Sequence, residues 1–95
     1  MNNFFNYQGF QVTVQTINFE PWFLAKDIAN ILMLKNPSMM IRHAKISKYF
    51  VRKIATNTLG GKQKMLYINR KALEGILDHS KRDKASHLRH WIQNN

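Results

Sequence analysis

The hydrophobic period of this 95-residue chain switches back and forth between two values, and that switching limits the folds open to it. Phe10, Val12 and Val14 alternate with Gln11, Thr13 and Gln15, the two-residue repeat of a half-buried strand. Phe4, Phe5 and Tyr7 suggest a shorter strand before it, and Pro21-Trp22-Phe23-Leu24 is a brief extended apolar piece. From Ala25 the spacing turns helical, with Ala25, Ile28, Ala29 and Leu32 on one face and Lys26, Asp27 and Asn30 on the other. Tyr49 to Thr58 is again extended and β-branched. Gly60-Gly61 marks a turn, and Lys62 to Ile68 supplies the returning arm of a long hairpin with a basic tip at Lys62 and Lys64. Two helical stretches close the chain, burying Leu73, Ile76 and Leu77, then Ala85, Leu88, Trp91 and Ile92. The pattern predicts a small single α+β domain over residues 1–95, ordered β-β-α-α-β-β-α-α, with a helix-turn-helix-like pair and a β-hairpin. A chain of this length buries only about 60–65% of its unfolded surface, which leaves no room for a second core.

Local signals sharpen the boundaries. Asn36-Pro37 starts a helix, with Asn as N-cap and Pro in the first turn. That helix should run to Ala44 or Lys45, packing Met40, Ile41 and Ala44 inward and turning Ser38, Arg42 and Lys45 outward. Asn69 caps the next helix, and Ser80-Lys81-Arg82-Asp83 has capping-box spacing for the last. Trp22 and Phe23 lead straight into an amphipathic helix, so they read as core rather than as a platform for stacked bases. Met33, Met39, Met40 and Met65 read as fillers of irregular gaps, with an exposed Met39 as an adaptable contact.

Charge points to a partner. Fifteen Lys and Arg against five Asp and Glu give a net charge of +10. The five acids are Glu20, Asp27, Glu74, Asp78 and Asp83, and none falls between Asp27 and Glu74. That interval carries ten basic residues: Lys35, Arg42, Lys45, Lys48, Arg52, Lys53, Lys62, Lys64, Arg70 and Lys71. Solubility needs only a few units of net charge of either sign, whereas an uncompensated stretch of this kind attracts polyanions. An apolar share of 44% excludes wholesale disorder. With no cysteine, disulfides, thiolate metal sites and a Cys nucleophile are all excluded. The first residues lack a secretory pattern and no apolar run approaches a membrane span, so a cytoplasmic protein with no membrane partner is expected.

A helix pair joined by about four residues (Met33 to Asn36), with a basic outer face on the second helix, suggests a helix-turn-helix. In that reading Ser38, Met39 and Arg42 meet base edges in the major groove. Lys45 and Lys48 meet phosphates, as do Arg52, Lys53, Lys62 and Lys64 on the hairpin. Gly60 and Gly61 would provide the positive φ of the turn.

Several segments also resemble a known family. Trp22-Phe23-Leu24-Ala25-Lys26-Asp27-Ile28-Ala29 is similar to the signature of the Bro-N domain, the amino-terminal domain of baculovirus BRO proteins and of many phage antirepressors. Lys35-Asn36-Pro37, Ile41-Arg42-His43 and the run from Gly60 to Asn69 follow in that family's order. Ser80, Ala85 and Trp91 fall where its last helix would place them. The resemblance implies a phage or prophage protein working in a bacterial host cell, a DNA-binding domain, and a role in the lysogenic switch. Arg70 departs from the pattern, standing where the family usually has an acid. The chain also ends at Asn95, where the family commonly continues into a second domain, so a stand-alone member and a fragment both fit.

The same residues also fit other roles. A small viral protein could use the same basic face to block a host repressor or a defence nucleoprotein. Exposed Tyr49, Phe50 and Tyr67 would suit single-stranded nucleic acid. His43 lies beside the reading face, where a phosphate or packing contact suits it better than catalysis. Asp83, His87 and His90 share a helix side but lack a fourth metal ligand, so a solvated surface is the ordinary reading. There is no Gly-rich phosphate loop, Ser/His/Asp set or paired carboxylate, so neither an enzyme nor a bound cofactor is expected. Helix-turn-helix proteins often dimerise over two half-sites, but nothing in the sequence marks a dimer seam.

Overall fold

A computed structural model describes residues 3–80 and 83–93. Its elements run β1 (Asn3–Tyr7), β2 (Phe10–Ile17), β3 (Glu20–Leu24), α1 (Ala25–Ile31), α2 (Pro37–His43), a short 3-10 turn (Lys48–Phe50), β4 (Val51–Thr58), β5 (Gly61–Asn69), α3 (Arg70–His79) and α4 (Asp83–Gln93). The α+β class stands. One element is added: the extended piece before the first helix is a full strand, and it lies at the centre of an antiparallel sheet of order β1-β2-β3-β5-β4. Its turn from β2 is Asn18-Phe19, both at positive φ (52° and 65°), where a Gly would ordinarily signal the bend.

The sheet has two different faces because strand side chains alternate. Val12, Val14, Phe23 and Ile68 lie in the main core with residues of all four helices, including Ile28, Met40, Leu73 and Leu88. The opposite face holds a second, smaller cluster of Trp22, Leu24 and Tyr67, flanked by Ile17, Ile54 and Met65. There the sheet curls tightly. Gln15 Nε2 on β2 donates to Tyr67 Oη (3.1 Å) and to the Ala55 carbonyl on β4 (3.2 Å), reaching across two intervening strands. Thr56 Oγ1 donates to the Ile54 carbonyl and lies 2.9 Å from Tyr67 Oη, so the Tyr67 hydroxyl donates to Thr56 while accepting from Gln15. Tyr67 is fully buried and Phe50 packs on the main core. Of the three aromatics considered for stacking single-stranded bases, only Tyr49 is exposed, which corrects that reading.

Both short helices of the central pair end in the same way. After α1, Met33 takes φ 59°, its N–H donates to the Asn30 carbonyl, and Leu34 N–H donates to that of Ala29. After α2, Lys45 takes φ 55°, with Lys45 N–H to Arg42 and Ile46 N–H to Ile41. Each pairing satisfies carbonyls the helix end leaves open, as a Schellman motif does, with no glycine at the left-handed position. Met33 is exposed and fills no gap, unlike Met40. The expected caps are present at the other ends: Asn36 Oδ1 accepts from Met39 N–H (3.1 Å) and Asn69 Oδ1 from Ala72 N–H (2.9 Å). The capping box before α4 includes residues 81 and 82, which lie outside the described residues.

Asp27, placed by the helical pattern on the polar face of α1, is buried instead. Its Oδ2 accepts from the Thr13 backbone N–H at 2.7 Å. β3 pairs with β2 only from Val14 onward, so at Thr13 the sheet has lost its neighbour and the carboxylate takes its place. Tyr7 shows the reverse. Its ring meets Trp91 edge-on at 5.2 Å, while its buried hydroxyl has no hydrogen-bond partner among the described residues, and burial raises its pKa above the usual 10.0. Tyr7→Phe removes an unsatisfied polar atom and keeps the ring contact. It is expected to leave stability unchanged or raise it by up to about 1 kcal/mol, read from chemical denaturation.

Candidate nucleic-acid interface

The register of the β4–β5 hairpin sorts its cations. Lys53 lies opposite Leu66, Ala55 opposite Lys64, and Asn57 opposite Lys62. Partners across an antiparallel pair share a face, so Lys53, Lys62 and Lys64 project from the side of the ribbon that continues the helical face of the sheet. Arg52 lies opposite Tyr67 and points the other way. Its guanidinium sits 4.8 Å from the centroid of the Trp22 ring. It therefore lies apart from the other hairpin cations with which the sequence had grouped it, covering the small second cluster.

The ribbon projects beyond the rest of the sheet. β3 pairs with β5 only at Tyr67–Asn69, because the chain leaves β3 at Leu24 to begin α1. Residues 61–66 of β5 thus keep β4 as their one sheet neighbour. A depression opens beside this free stretch, lined by Leu24 at the end of β3, Lys26 of α1, Pro37 and Ser38 of α2, and residues 63–66 of β5, among them Lys64 and Met65. The first turn of α2 and the root of the ribbon therefore share one cleft. Lys26, which helical spacing had marked only as a polar-face residue, belongs to it.

On α2 the buried side is Met40, with Ile41 half-buried. Ser38, Met39, Arg42 and His43 are exposed. Ser38 faces the ribbon. Met39 and His43 flank the other edge, lining a wider depression of about 430 Å³ against α3 with Leu34, Lys35, Ile76 and His79. Arg42 lies between the two edges. Lys45 and Lys48 are exposed on the segment that joins α2 to the ribbon, with Lys48 Nζ 5.6 Å from the Tyr49 ring centroid. That segment is drawn inward by Ile46, whose Cδ1 comes within 2.8 Å of where a Cβ on Gly75 would stand. The ribbon tip is Leu59-Gly60, with the positive φ at Gly61 (102°) and not at Gly60. Lys62 and Lys64 therefore lie along the arm rather than at the tip.

Few acids oppose these cations. Asp27 is held by Thr13, Glu20 accepts from Asn69 Nδ2, and the ion pair among the described residues is Arg89 with Asp78, between α4 and α3. The eight cleft and helix residues Lys26, Ser38, Arg42, Lys45, Lys48, Lys53, Lys62 and Lys64 are all exposed.

An exposed helix carrying Arg42, a cationic segment after it and a projecting cationic ribbon stand together on a curled five-stranded sheet, in a small α+β domain whose uncompensated positive charge would attract polyanions. Residues 11–95 match the BRO family N-terminal domain, Bro-N. The chain belongs to that family, and the membership supports a general regulatory role. No curated protein and no solved structure matches the chain.

Proposed function

We propose that the domain is a DNA-binding regulatory module of antirepressor type, and a binding protein rather than a catalyst. The outer side of α2 enters the major groove of duplex DNA, presenting Ser38, Arg42 and Met39 to base edges. Lys26, Lys45, Lys48, Lys53, Lys62 and Lys64 hold the flanking phosphates. The observation that supports this reading is the shared cleft of Ser38, Lys26 and Lys64, in which the first turn of α2 lies beside the cationic ribbon. Phosphate contacts fix position and the helix supplies sequence preference.

The division of labour is testable by selecting preferred duplexes from a random pool and titrating variants against them. Arg42→Ala is expected to cost about 1–3 kcal/mol on the selected sequence and little on random duplex. Lys62→Ala should weaken both alike. Equal losses from Arg42→Ala on the two duplexes would remove α2 from base reading. Retention on heparin with no duplex shift, together with one stoichiometric protein captured from host lysate, would favour a protein-blocking role instead.

A further inference from the structure

The two edges of the sheet are built differently. β4, at one edge, carries Arg52 and Lys53, the charges that keep an open strand from pairing with another chain. β1, at the other, reads Asn3-Phe4-Phe5-Asn6-Tyr7, with no charge and no proline. Two large apolar side chains stand exposed on it, Phe4 at 58% and Phe5 at 50%, one on each face of the sheet.

The hairpin geometry sets which backbone groups β1 leaves open. Tyr7 and Phe10 close a two-residue turn through Gln8 (φ 49°) and Gly9 (φ 87°), so they form a hydrogen-bonded pair. By alternation the main-chain groups of Tyr7, Phe5 and Asn3 face β2, and those of Phe4 and Asn6 face outward. An antiparallel copy centred on Phe5 sets Phe4 against the second copy's Asn6, and Asn6 against its Phe4. Every outward N–H then meets an outward carbonyl, and the two Phe5 rings meet at the central non-hydrogen-bonded pair, where side chains approach most closely. The strand is complementary to itself under a two-fold axis. The composition of the strand also suits the charge: β1 carries no Lys or Arg, so two chains of +10 meet by uncharged strands.

We infer that β1 is a homodimer seam, joining two copies into a continuous ten-stranded antiparallel sheet through Phe5. A pair of five-residue strands is a small interface, so half-association at about 10–100 µM is expected. Sedimentation of the full chain without DNA, from about 1 to about 300 µM, should move from 11.2 kDa toward twice that mass. Phe4→Pro removes an outward N–H and spares the pairing with β2, so it should stay monomeric with an unchanged far-UV spectrum. The chain has no cysteine, which gives a second readout. Under mild oxidation Phe5→Cys should cross-link into a dimer at least ten-fold faster than Phe19→Cys in the β2–β3 turn. The inference is overturned by a monomer at every concentration, by a dimer that Phe4→Pro leaves intact, or by equal cross-linking rates at positions 5 and 19. None of these readouts depends on DNA, so the seam and the DNA-binding proposal fail separately.

Discussion

Raising monovalent salt from ~50 to ~200 mM is expected to weaken duplex binding about 500-fold. Each lysine that neutralises a phosphate releases a condensed counterion, so log K falls against log salt with a slope of about −0.9 per contact. With roughly five of the six lysines engaged at once, the slope is about −4.5, and a four-fold rise in salt then gives that loss. The geometry adds a finer expectation. Lys64 lines the cleft with Ser38, whereas Arg52 sits on the opposite face of the ribbon over Trp22. Lys64→Ala should therefore flatten the slope by about one contact, and Arg52→Ala should leave it unchanged. Fluorescence anisotropy on a labelled duplex at five salt concentrations reads both. A slope near zero for the unmodified domain would end the DNA-binding proposal. A slope reduced as much by Arg52→Ala as by Lys64→Ala would show that the interface wraps round the hairpin instead of using one side.

Trp22→Ala should lower stability by about 3–5 kcal/mol, the range for removing a large aromatic from a packed site. Trp22 is buried in the second cluster with Leu24 and Tyr67, under the Arg52 guanidinium. A domain of this size is stable by only about 5–14 kcal/mol, so the loss is a large fraction of the whole. Arg52→Ala removes one partly solvated cation–π contact and should cost about 0.5–1 kcal/mol. Urea denaturation separates the two. Measured well below the unfolding midpoint, Trp22→Ala should bind duplex as the parent does, because Trp22 packs behind Leu24 and Met65 and does not itself line the cleft. A stable variant with lost DNA affinity would make Trp22 a stacking residue and not a core one.

Much of the architecture was legible in the order of residues, and the reasons are local. The change from two-residue to helical spacing at Ala25 is a property of adjacent side chains, and it located α1 without any long-range information. Asn36-Pro37 and Asn69 announced their helices because a cap acts within one turn, and both side chains accept from a backbone N–H three residues on. Where the usual residue was missing, the backbone conformation that ends an element was not legible. Met33 and Lys45 end their helices in the left-handed region without glycine, and Asn18-Phe19 turns β2 into β3 without one. The central strand β3 was correspondingly read as no more than an extended piece.

The site divides along the same line. The acid-free interval, the basic side of α2 and the cationic hairpin belong to the sequence, since charge and spacing are written residue by residue. Which cations share a surface was decided by tertiary structure. Arg52 and Lys53 are neighbours in the chain, yet strand alternation sends them to opposite faces, and only the register against Tyr67 and Leu66 says which face is which. Lys26 joined the cleft because β3 ends at Leu24 and brings the start of α1 beside the exposed stretch of β5. Tyr67 and Asp27 went inside because distant partners, Gln15 with Thr56 and the Thr13 N–H, satisfy their polar atoms there. A side chain's neighbours along the chain fix its local geometry, but burial and company depend on which strands come together, and that is a property of the folded sheet alone.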